Sequence, residues 1–371
     1  VTSDGIHLQT HDIAATQRVI KDVVTELKNP PTLTTDIAPF NALGQLIFNE
    51  DLLTHLAGRK NLSIISRGVM AQIPLSVARI KGGNTGATPD QWAVERFAFN
   101  HLTSLSDLLD PPSSKARSID HFIGVGFSQN PLEQSPLELS PIETSPLKSS
   151  PQTRLVQAGS MDYAYRSAGD LLRLQNLPGL PRAGAELRAI SQNFSPKTSD
   201  ILADRIFSEK DVRALDLKNA TVLSFASHGL MPGELDSLEE AALVIAPTSA
   251  SAQRDNDGLL SASEISDFKL SAEWVVLSAC NSGAGSAETG EALSGLATAF
   301  TYAGAKSLLV SHWPVRDDAA AFLTVNTVKY HQAGMSKARA LQRAMNDLRN
   351  HEAIPDAQHP AIWAPFILVG Q

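Results

Sequence analysis

The sequence predicts an α/β protein built around a mostly parallel sheet. Short apolar runs rich in Val, Leu and Ile alternate with segments of helical periodicity, and the runs end in small or polar residues. A strand that is apolar on both faces requires helices on both sides of its sheet. The clearest such runs are HFIGVGF at 121–127, TVLSFAS at 221–227, WVVLSA at 274–279, KSLLVSH at 306–312 and PFILVG at 365–370.

The first hundred residues read as an N-terminal helical and β extension of this sheet. Residues 12–27 have apolar side chains near one face of a helix, which Pro30 and Pro31 end. We predict a second helix over 38–56, then a short strand, a turn at Arg67–Gly68 and a returning strand. RFAFNHL at 96–102 is a further predicted strand.

A low-complexity insert at 130–152 interrupts the chain after the strand at 121–127. Its five prolines recur every five residues from Pro131 to Pro151, often after serine. Proline removes ladder donors and biases its neighbours toward extended backbone, so the pattern is typical of a solvated surface loop. A docking or modification tract is the alternative.

Beyond the insert, helices and strands are predicted in strict alternation. Two serines mark helix starts: Ser208, and Ser261 with Glu264 as a capping box. The predicted elements are a helix at 182–194, a strand at 200–203, a helix from 208, the strand at 221–227, an apolar segment at 241–247, the capped helix, the strand at 274–279, a helix at 291–303, the strand at 306–312, a long helix at 319–348 and the strand at 365–370.

Composition excludes several classes of partner. The formal net charge is -8 and the acidic residues are scattered, so no basic stripe favours nucleic acid or an anionic membrane. No apolar run approaches the roughly 18 residues of a membrane span. A single cysteine cannot form an internal disulfide, which fits a reducing, cytoplasmic compartment.

The single cysteine and a His-Gly pair follow two of the predicted strands. In parallel sheets, reactive groups gather at the carboxyl ends of strands. His228 could favour the thiolate of Cys280, and the backbone N–H groups of Gly229 and Cys280 could form an oxyanion hole. The alternative is an inert core cysteine beside a simple turn. A zinc site is less favoured, because the ten histidines show no short-range pairing with the cysteine.

The sequence around these residues resembles the CHAT family of caspase-like proteins. The motifs SFASHGL, DGLLSASEI, VVLSACNSG, GEALSGLATAFTYAGAKSLLVSHWPVRDD and HPAIWAPFILVG occur in the order expected of that family and span the C-terminal 250 residues. The resemblance implies a caspase-like α/β/α sandwich and a bacterial-type regulatory thiol protease, with His228 and Cys280 as its dyad. It implies a protein or peptide substrate, no metal and no organic cofactor.

The resemblance also suggests a domain organisation. We predict that residues 1–30 form a helix left from an upstream helical-repeat region, 31–118 form the N-terminal part of the CHAT region, and 119–371 form the peptidase core. A helical-repeat region or a regulatory protein is the expected partner, without direct binding to nucleic acid or membrane.

The sequence departs from true caspases around the nucleophile. LSAC replaces QAC, and Gly283 stands three residues after the cysteine instead of two, so specificity for aspartate is not carried over. Relatives that cut after basic residues use an acidic pocket, for which Asp317, with Trp313 lining the approach, is the best-placed candidate. The alternative for Asp317 is a helix cap. The sequence does not distinguish whether Arg182 lies in the cleft or on the solvated surface.

Two other functions compete with the cysteine endopeptidase. The same cleft could hold a peptide or a partner without cutting it, as a non-catalytic binding module. An unrelated thiol hydrolase or acyltransferase would instead turn over small esters and leave peptides intact.

Overall fold

The computed structural model describes most of the chain, with gaps at both termini, around the insert and at several other segments. The described residues are 12–28, 35–82, 90–104, 107, 121–126, 170, 173–174, 177, 180–203, 207–245, 257–278 and 295–370. The Ser/Pro-rich insert at 130–152 and Cys280 lie outside them.

The strands of the described residues form one large sheet and two small ones. In chain order they are β1 (Asn61–Ile64), β2 (Arg79–Ile80), β3 (Gln91–Trp92), β4 (Ala98–His101), β5 (Phe122–Gly126), β6 (Ser199–Leu202), β7 (Val222–Ala226), β8 (Gly229–Leu230), β9 (Ala242–Val244), β10 (Leu259–Ser261), β11 (Trp274–Ser278), β12 (Ser307–Ser311) and β13 (Phe366–Gly370).

The helices of the described residues are distributed between these strands. In chain order they are α1 (Ile13–Lys28), α2 (Ala38–Ile47), α3 (Glu50–His55), α4 (Ala93–Arg96), α5 (Ala183–Ser191), α6 (Glu209–Arg213), α7 (Ala262–Ser266), α8 (Gly295–Ala303), α9 (Asp317–Gln332), α10 (Lys337–Arg349) and α11 (Pro360–Trp363).

The large sheet has eight strands in the order β1-β4-β13-β12-β11-β7-β5-β6. Every neighbouring pair is parallel except β12–β13. The carboxyl ends of β6, β5, β7, β11 and β12 therefore share one edge, which we call the carboxyl edge, and β13 begins beside them. The predicted α/β class with a mostly parallel sheet is confirmed.

Helices cover both faces of this sheet, as the doubly apolar strands require. Side chains alternate along each strand: on β11, Val276 packs into one core cluster and Leu277 into the other. The cluster of Val276 includes residues of α5, α9 and α10, and the cluster of Leu277 includes residues of α6, α7 and α8. The result is a sandwich of three layers.

The N-terminal extension joins the same sheet. β1 pairs with β4, and β4 pairs with β13 through His101 and Val369. Helices α1 and α2 pack on the cluster that also holds α9 and α10. The returning strand predicted after Arg67–Gly68 is wrong: 3-10 turns at Gly68–Gln72 and Leu75–Val77 follow instead.

Two predicted helices are each divided in the structure. The helix expected over 38–56 is α2 and α3, because the Asn49 side chain accepts the Leu52 N–H and starts a new helix. The long helix expected over 319–348 is α9 and α10, which are separated by Gly334 at φ +97°. A glycine in this left-handed conformation ends helices, and Ser336 caps the next one.

Candidate active site

The strands β7 and β11 are parallel neighbours at the carboxyl edge, and their last residues, Ala226 and Ser278, are register partners. His228 follows Ala226 by two residues, and Cys280 follows Ser278 by two residues in the sequence. The two predicted dyad residues therefore continue from paired positions on adjacent strands. Cys280 itself lies outside the described residues.

A small antiparallel sheet holds the backbone around His228. The Val244 N–H donates to the His228 carbonyl oxygen at 2.8 Å, and Gly229 pairs with Leu243 in the sheet β8-β9-β10. The Ser227 hydroxyl also donates to the carbonyl oxygen of Val244. His228 and Gly229 are buried. The segment that carries the predicted base and one predicted oxyanion donor is thus fixed by backbone hydrogen bonds.

An acidic pocket, as we call it, lies at the same edge. Ala226, Ser227 and Ser278 line one side, and Glu186 and Asp317 contribute two carboxylates. The pocket is narrow, with about 20 Å³ of open volume, which is the room of about one water molecule. A substrate side chain would enter this pocket only if its walls moved apart.

Glu186 is a buried acid that connects three elements of the site. It lies on α5, accepts a hydrogen bond from the Thr324 hydroxyl of α9 at 2.8 Å, and accepts another from the Ser278 hydroxyl of β11 at 3.2 Å. Loss of solvation raises its pKa to about 8, the nearby charge of Asp317 acts in the same direction, and the two hydroxyl groups oppose the shift. At neutral pH the carboxyl group is mostly protonated.

Close packing of α5 against β5 brings Glu186 to the pocket. At Gly126, the last residue of β5, a Cβ atom would lie 2.7 Å from Leu187 Cδ1 and 3.3 Å from the Ala226 carbonyl oxygen. Only glycine permits this approach. The small residues at the end of the predicted strand HFIGVGF thus serve to position the helix.

Asp317 is the first residue of α9, and its side chain contacts α5. The Arg182 backbone N–H donates to Asp317 Oδ2 at 3.1 Å. Burial raises the pKa of Asp317 to about 6, and Asp318 adds to the increase, while the backbone N–H and the charge of Arg182 lower it. Asp318, not Asp317, accepts the helix N–H of Ala319, at 2.8 Å. The N-cap residue of α9 is Arg316, and no side chain makes a cap hydrogen bond there.

Arg182 and Trp313 are both buried. Arg182 is 6% exposed, and its charge acts on Asp317, so the solvated-surface alternative does not apply. Trp313 is 4% exposed and its Nε1 donates to the Ala361 carbonyl oxygen at 2.9 Å. Trp313 is absent from the described residues that line the acidic pocket, and its contact with substrate stays a prediction.

Glu186 is the residue of this pocket that sequence reasoning missed. A signal was present, because Ala183, Leu187 and Ile190 share one buried face of α5 with Glu186 at helical spacing. A carboxylate on an apolar helix face is rare unless it is paired or functional. Its partners Ser278 and Thr324 are 92 and 138 residues away, so only the tertiary structure identifies them.

Metal and membrane features are absent from the part of the chain that the structure describes. No group of three or more His, Cys, Asp or Glu side chains there could hold a metal ion. Among the same residues, no helix combines the length and apolar character that crossing a membrane requires.

Comparison with known proteins identifies a domain family and a few distant relatives. The profile of the CHAT domain family matches residues 38–371. Over 112 residues, which are 30% of this chain, it is 33% identical to Tetratricopeptide repeat protein 28 of Mus musculus and 32% identical to that of Homo sapiens. The match spans 4% of the length of these curated relatives.

Solved structures of gingipain R are similar in outline. The crystal structure of this Arg-specific cysteine proteinase (RGPB) has a TM-score of 0.49 at 8% identity, over 89% of this chain and 67% of that one. The complex of the pro- and mature domains of RgpB from Porphyromonas gingivalis has the same TM-score and identity, over 97% and 77%.

Proposed function

Because the chain belongs to the CHAT domain family, we propose that it is a cysteine endopeptidase in which His228 and Cys280 hydrolyse peptide bonds of a protein substrate. The observation that carries this proposal is the register of two strands. Ala226 and Ser278 are paired at the carboxyl edge, and the two residues of the dyad follow them at equal distance in sequence. Reactive groups of parallel sheets gather at this edge.

The proposed reaction uses the dyad without a cofactor. The Cys280 thiol gives its proton to the His228 imidazole, and the thiolate attacks the carbonyl carbon of the peptide. The backbone N–H groups of Gly229 and Cys280 stabilise the oxyanion that forms. The imidazolium then protonates the leaving amine, and water hydrolyses the acyl-enzyme.

We further propose that the acidic pocket receives the side chain before the cut and prefers a basic residue. Asp317 lines the pocket, and the opposite charge of Arg182 beside it acts on Asp317. A lysine or arginine of the substrate adds one positive charge, which ionisation of Glu186 would neutralise. Glu186 would therefore release its proton when a basic side chain enters, because a nearby cation favours the carboxylate.

The direction of specificity can be tested separately from activity. A library of peptides that differ only at the residue before the cut should show preference for Arg and Lys over Gln and Leu. Preference for Asp or Glu would instead assign the selection to Arg182 and would contradict the basic pocket while leaving the peptidase intact.

A covalent label tests the dyad itself. A peptidyl electrophile should modify Cys280 in the wild-type chain and much more slowly in His228→Ala, because the thiolate form is lost. Mass spectrometry of the intact chain measures the modification. His55→Ala, at a half-buried histidine of α3, is the matched control and should label at the wild-type rate. Equal labelling in all three chains would remove His228 from the dyad.

The non-catalytic module remains the competing function. It predicts that a peptide binds at the carboxyl edge and is recovered uncut after prolonged incubation. Turnover of small esters without peptide cleavage would instead support a thiol hydrolase of another kind.

We also propose a helical-repeat region or a regulatory protein as partner. The similarity to a tetratricopeptide repeat protein supports this context, although it covers only 112 residues. Pull-down of a helical-repeat protein by the catalytically inactive Cys280→Ala chain would test it, with a chain lacking residues 1–30 as comparison.

A further inference from the structure

A second cavity lies between α2, α3, β2 and the end of α4. Its open volume is about 540 Å³, and it shares no described lining residue with the acidic pocket. A smaller cavity of about 310 Å³ adjoins it, and Arg79 lines both. We call the pair the basic cavity.

Positive charge dominates the walls of the basic cavity. Arg79, Lys81 and Arg96 line the larger part, together with one carboxylate, that of Glu50. Arg349 lines the smaller part, where no described lining residue is acidic. The chain as a whole carries a formal charge of -8, so this concentration of cations opposes the general charge. These cations would attract an anion to the cavity.

Two arginines of the basic cavity are half-buried, and each makes some of its possible hydrogen bonds. Arg79 Nη2 donates to the Asp90 carbonyl oxygen at 3.0 Å, and Arg349 Nη2 donates to Glu95 at 2.8 Å. Arg79 Nε and Arg349 Nη1 are buried and have no hydrogen-bond partner among the described residues. These two nitrogens are closed to solvent, so an anion in the cavity would pair with the other N–H groups of the two arginines.

The arginine at the centre is held rigidly. The Arg79 guanidinium lies 4.8 Å from the centroid of the Trp92 ring, a cation–π contact. At Gly44 of α2, a Cβ atom would lie 1.7 Å from the Arg79 carbonyl oxygen, so α2 packs directly on the backbone of β2. A guanidinium held in this way is a preorganised charge for a phosphate oxygen.

Apolar side chains complete the larger part of the cavity. Phe48 and Leu53 line it beside the cations. Cavities of about 300–1,000 Å³ with apolar walls and a few convergent polar groups are the usual sites of small ligands. A concave cavity of this size accommodates a compact molecule better than an extended chain.

We propose that the basic cavity binds a small organic phosphate of nucleotide size. The phosphate lies against Arg79, with Lys81, Arg96 and Arg349 around it, and the organic part lies toward Phe48 and Leu53. This site is independent of the proposed peptidase, because it uses none of the residues of the carboxyl edge.

Calorimetric titration of the full chain tests the proposal. The probes are AMP, ADP and inorganic pyrophosphate, titrated at low and at physiological salt. We expect one ligand per chain, weaker binding at higher salt, and tighter binding of AMP or ADP than of pyrophosphate because of the apolar wall. The double variant Lys81→Gln/Arg96→Gln should weaken binding at least about tenfold by removing two charges.

A matched control separates the site from general charge. Lys218→Gln/Lys269→Gln removes the same charge from two exposed lysines outside the cavity and should bind as the wild type does. Thermal unfolding without ligand checks that each variant is folded, and Lys81→Gln alone replaces the double variant if that chain is unstable. No binding of any probe at millimolar concentration overturns the proposal, as does equal weakening in the control. Tighter binding of single-stranded RNA through the same lysine and arginine overturns the small-ligand form.

Discussion

The acidic pocket and the basic cavity use buried charge in opposite ways. The acidic pocket has about 20 Å³ of open volume, and its two carboxylates have raised pKa values of about 8 and about 6. The basic cavity has about 540 Å³ in its larger part, and arginines line both of its parts.

The difference teaches how each charge responds to burial. A carboxyl group that loses solvation takes up a proton, so the charge of the acidic pocket depends on pH and on what enters. A guanidinium cannot escape in this way and must find an acceptor or a ring. The first region can therefore be switched by a proton, whereas the second is a permanent attraction for anions.

The largest expected effect comes from Cys280→Ala. It should abolish peptide hydrolysis and change neither the melting temperature nor phosphate binding at the basic cavity, because the change removes the nucleophile and little volume. Kinetic assays, calorimetric titration and thermal unfolding measure the three quantities. Retained cleavage would end the dyad assignment. A melting temperature several degrees lower would favour an inert core cysteine.

Asp317→Asn should have the next largest effect, and only on one class of substrate. Without Asp317 the charge of Arg182 is no longer offset and opposes a basic side chain. Loss of a buried charge pair costs roughly 2–5 kcal/mol, so cleavage after Arg or Lys should fall more than about thirtyfold, while cleavage after neutral residues changes little. The readout is kcat/KM for matched peptides. Asp318→Asn removes the same charge one residue away and should preserve the preference. Equal losses for all peptides would make Asp317 a structural residue.

A smaller effect is expected in the pH dependence of specificity. The ratio of kcat/KM for an arginine peptide to that for its glutamine counterpart cancels the titration of the dyad. This ratio should rise as pH passes about 6, where Asp317 ionises, and again near 8, where Glu186 ionises. Glu186→Gln should remove the second rise only.

Glu209→Gln is the control for that experiment. Glu209 is also buried, and its pKa is likewise raised to about 8, chiefly by loss of solvation, but its carboxylate accepts the Gly258 N–H at 2.7 Å and does not line the acidic pocket. In this variant the ratio of kcat/KM values should still rise at both pH values. A ratio that does not change with pH would separate the carboxylates from substrate recognition.

The smallest effect concerns stability. The folded state holds the Glu186 proton up to a pKa of about 8, against an ordinary value of 4.5. The contribution of this proton to the free energy of unfolding is therefore fully present below pH 4.5 and is lost as pH rises through about 8. The free energy of unfolding changes by at most about 1.4 kcal/mol per pH unit in this range. Urea unfolding of Glu186→Gln from pH 5 to 8 should lack this slope. An unchanged slope would mean that Glu186 is ionised throughout.

Local patterns were sufficient to predict the order of the elements. The apolar runs became strands of one sheet, and Ser208 and Ser261 cap helices through capping boxes. These signals depend on neighbouring residues, and the physical period of each element is visible in the chain. The helix boundaries were predicted less well. The helix predicted over 319–348 is divided at Gly334, because the backbone conformation of this glycine ends α9, and the periodic pattern does not indicate that end.

The candidate site was only partly visible in the sequence. His228 and Gly229 could be selected because they follow an apolar run, and Asp317 through the family resemblance. The burial of Glu186 on an apolar helix face was a signal in the sequence, but its role depends on Ser278 and Thr324, which crossover connections bring near.

The sequence by itself determined the α/β class, the family motifs and the ends of strands at which reactive residues stand. Only the tertiary structure decided which side chains share a cavity and which charges lose water there. Trp313 points into the core because the Ala361 carbonyl oxygen accepts its N–H. Arg79 and Arg349 are 270 residues apart in the sequence, yet both line the smaller part of the basic cavity. Periodicity records which face of an element is buried, whereas solvation and pairing of a charge depend on every element packed around it.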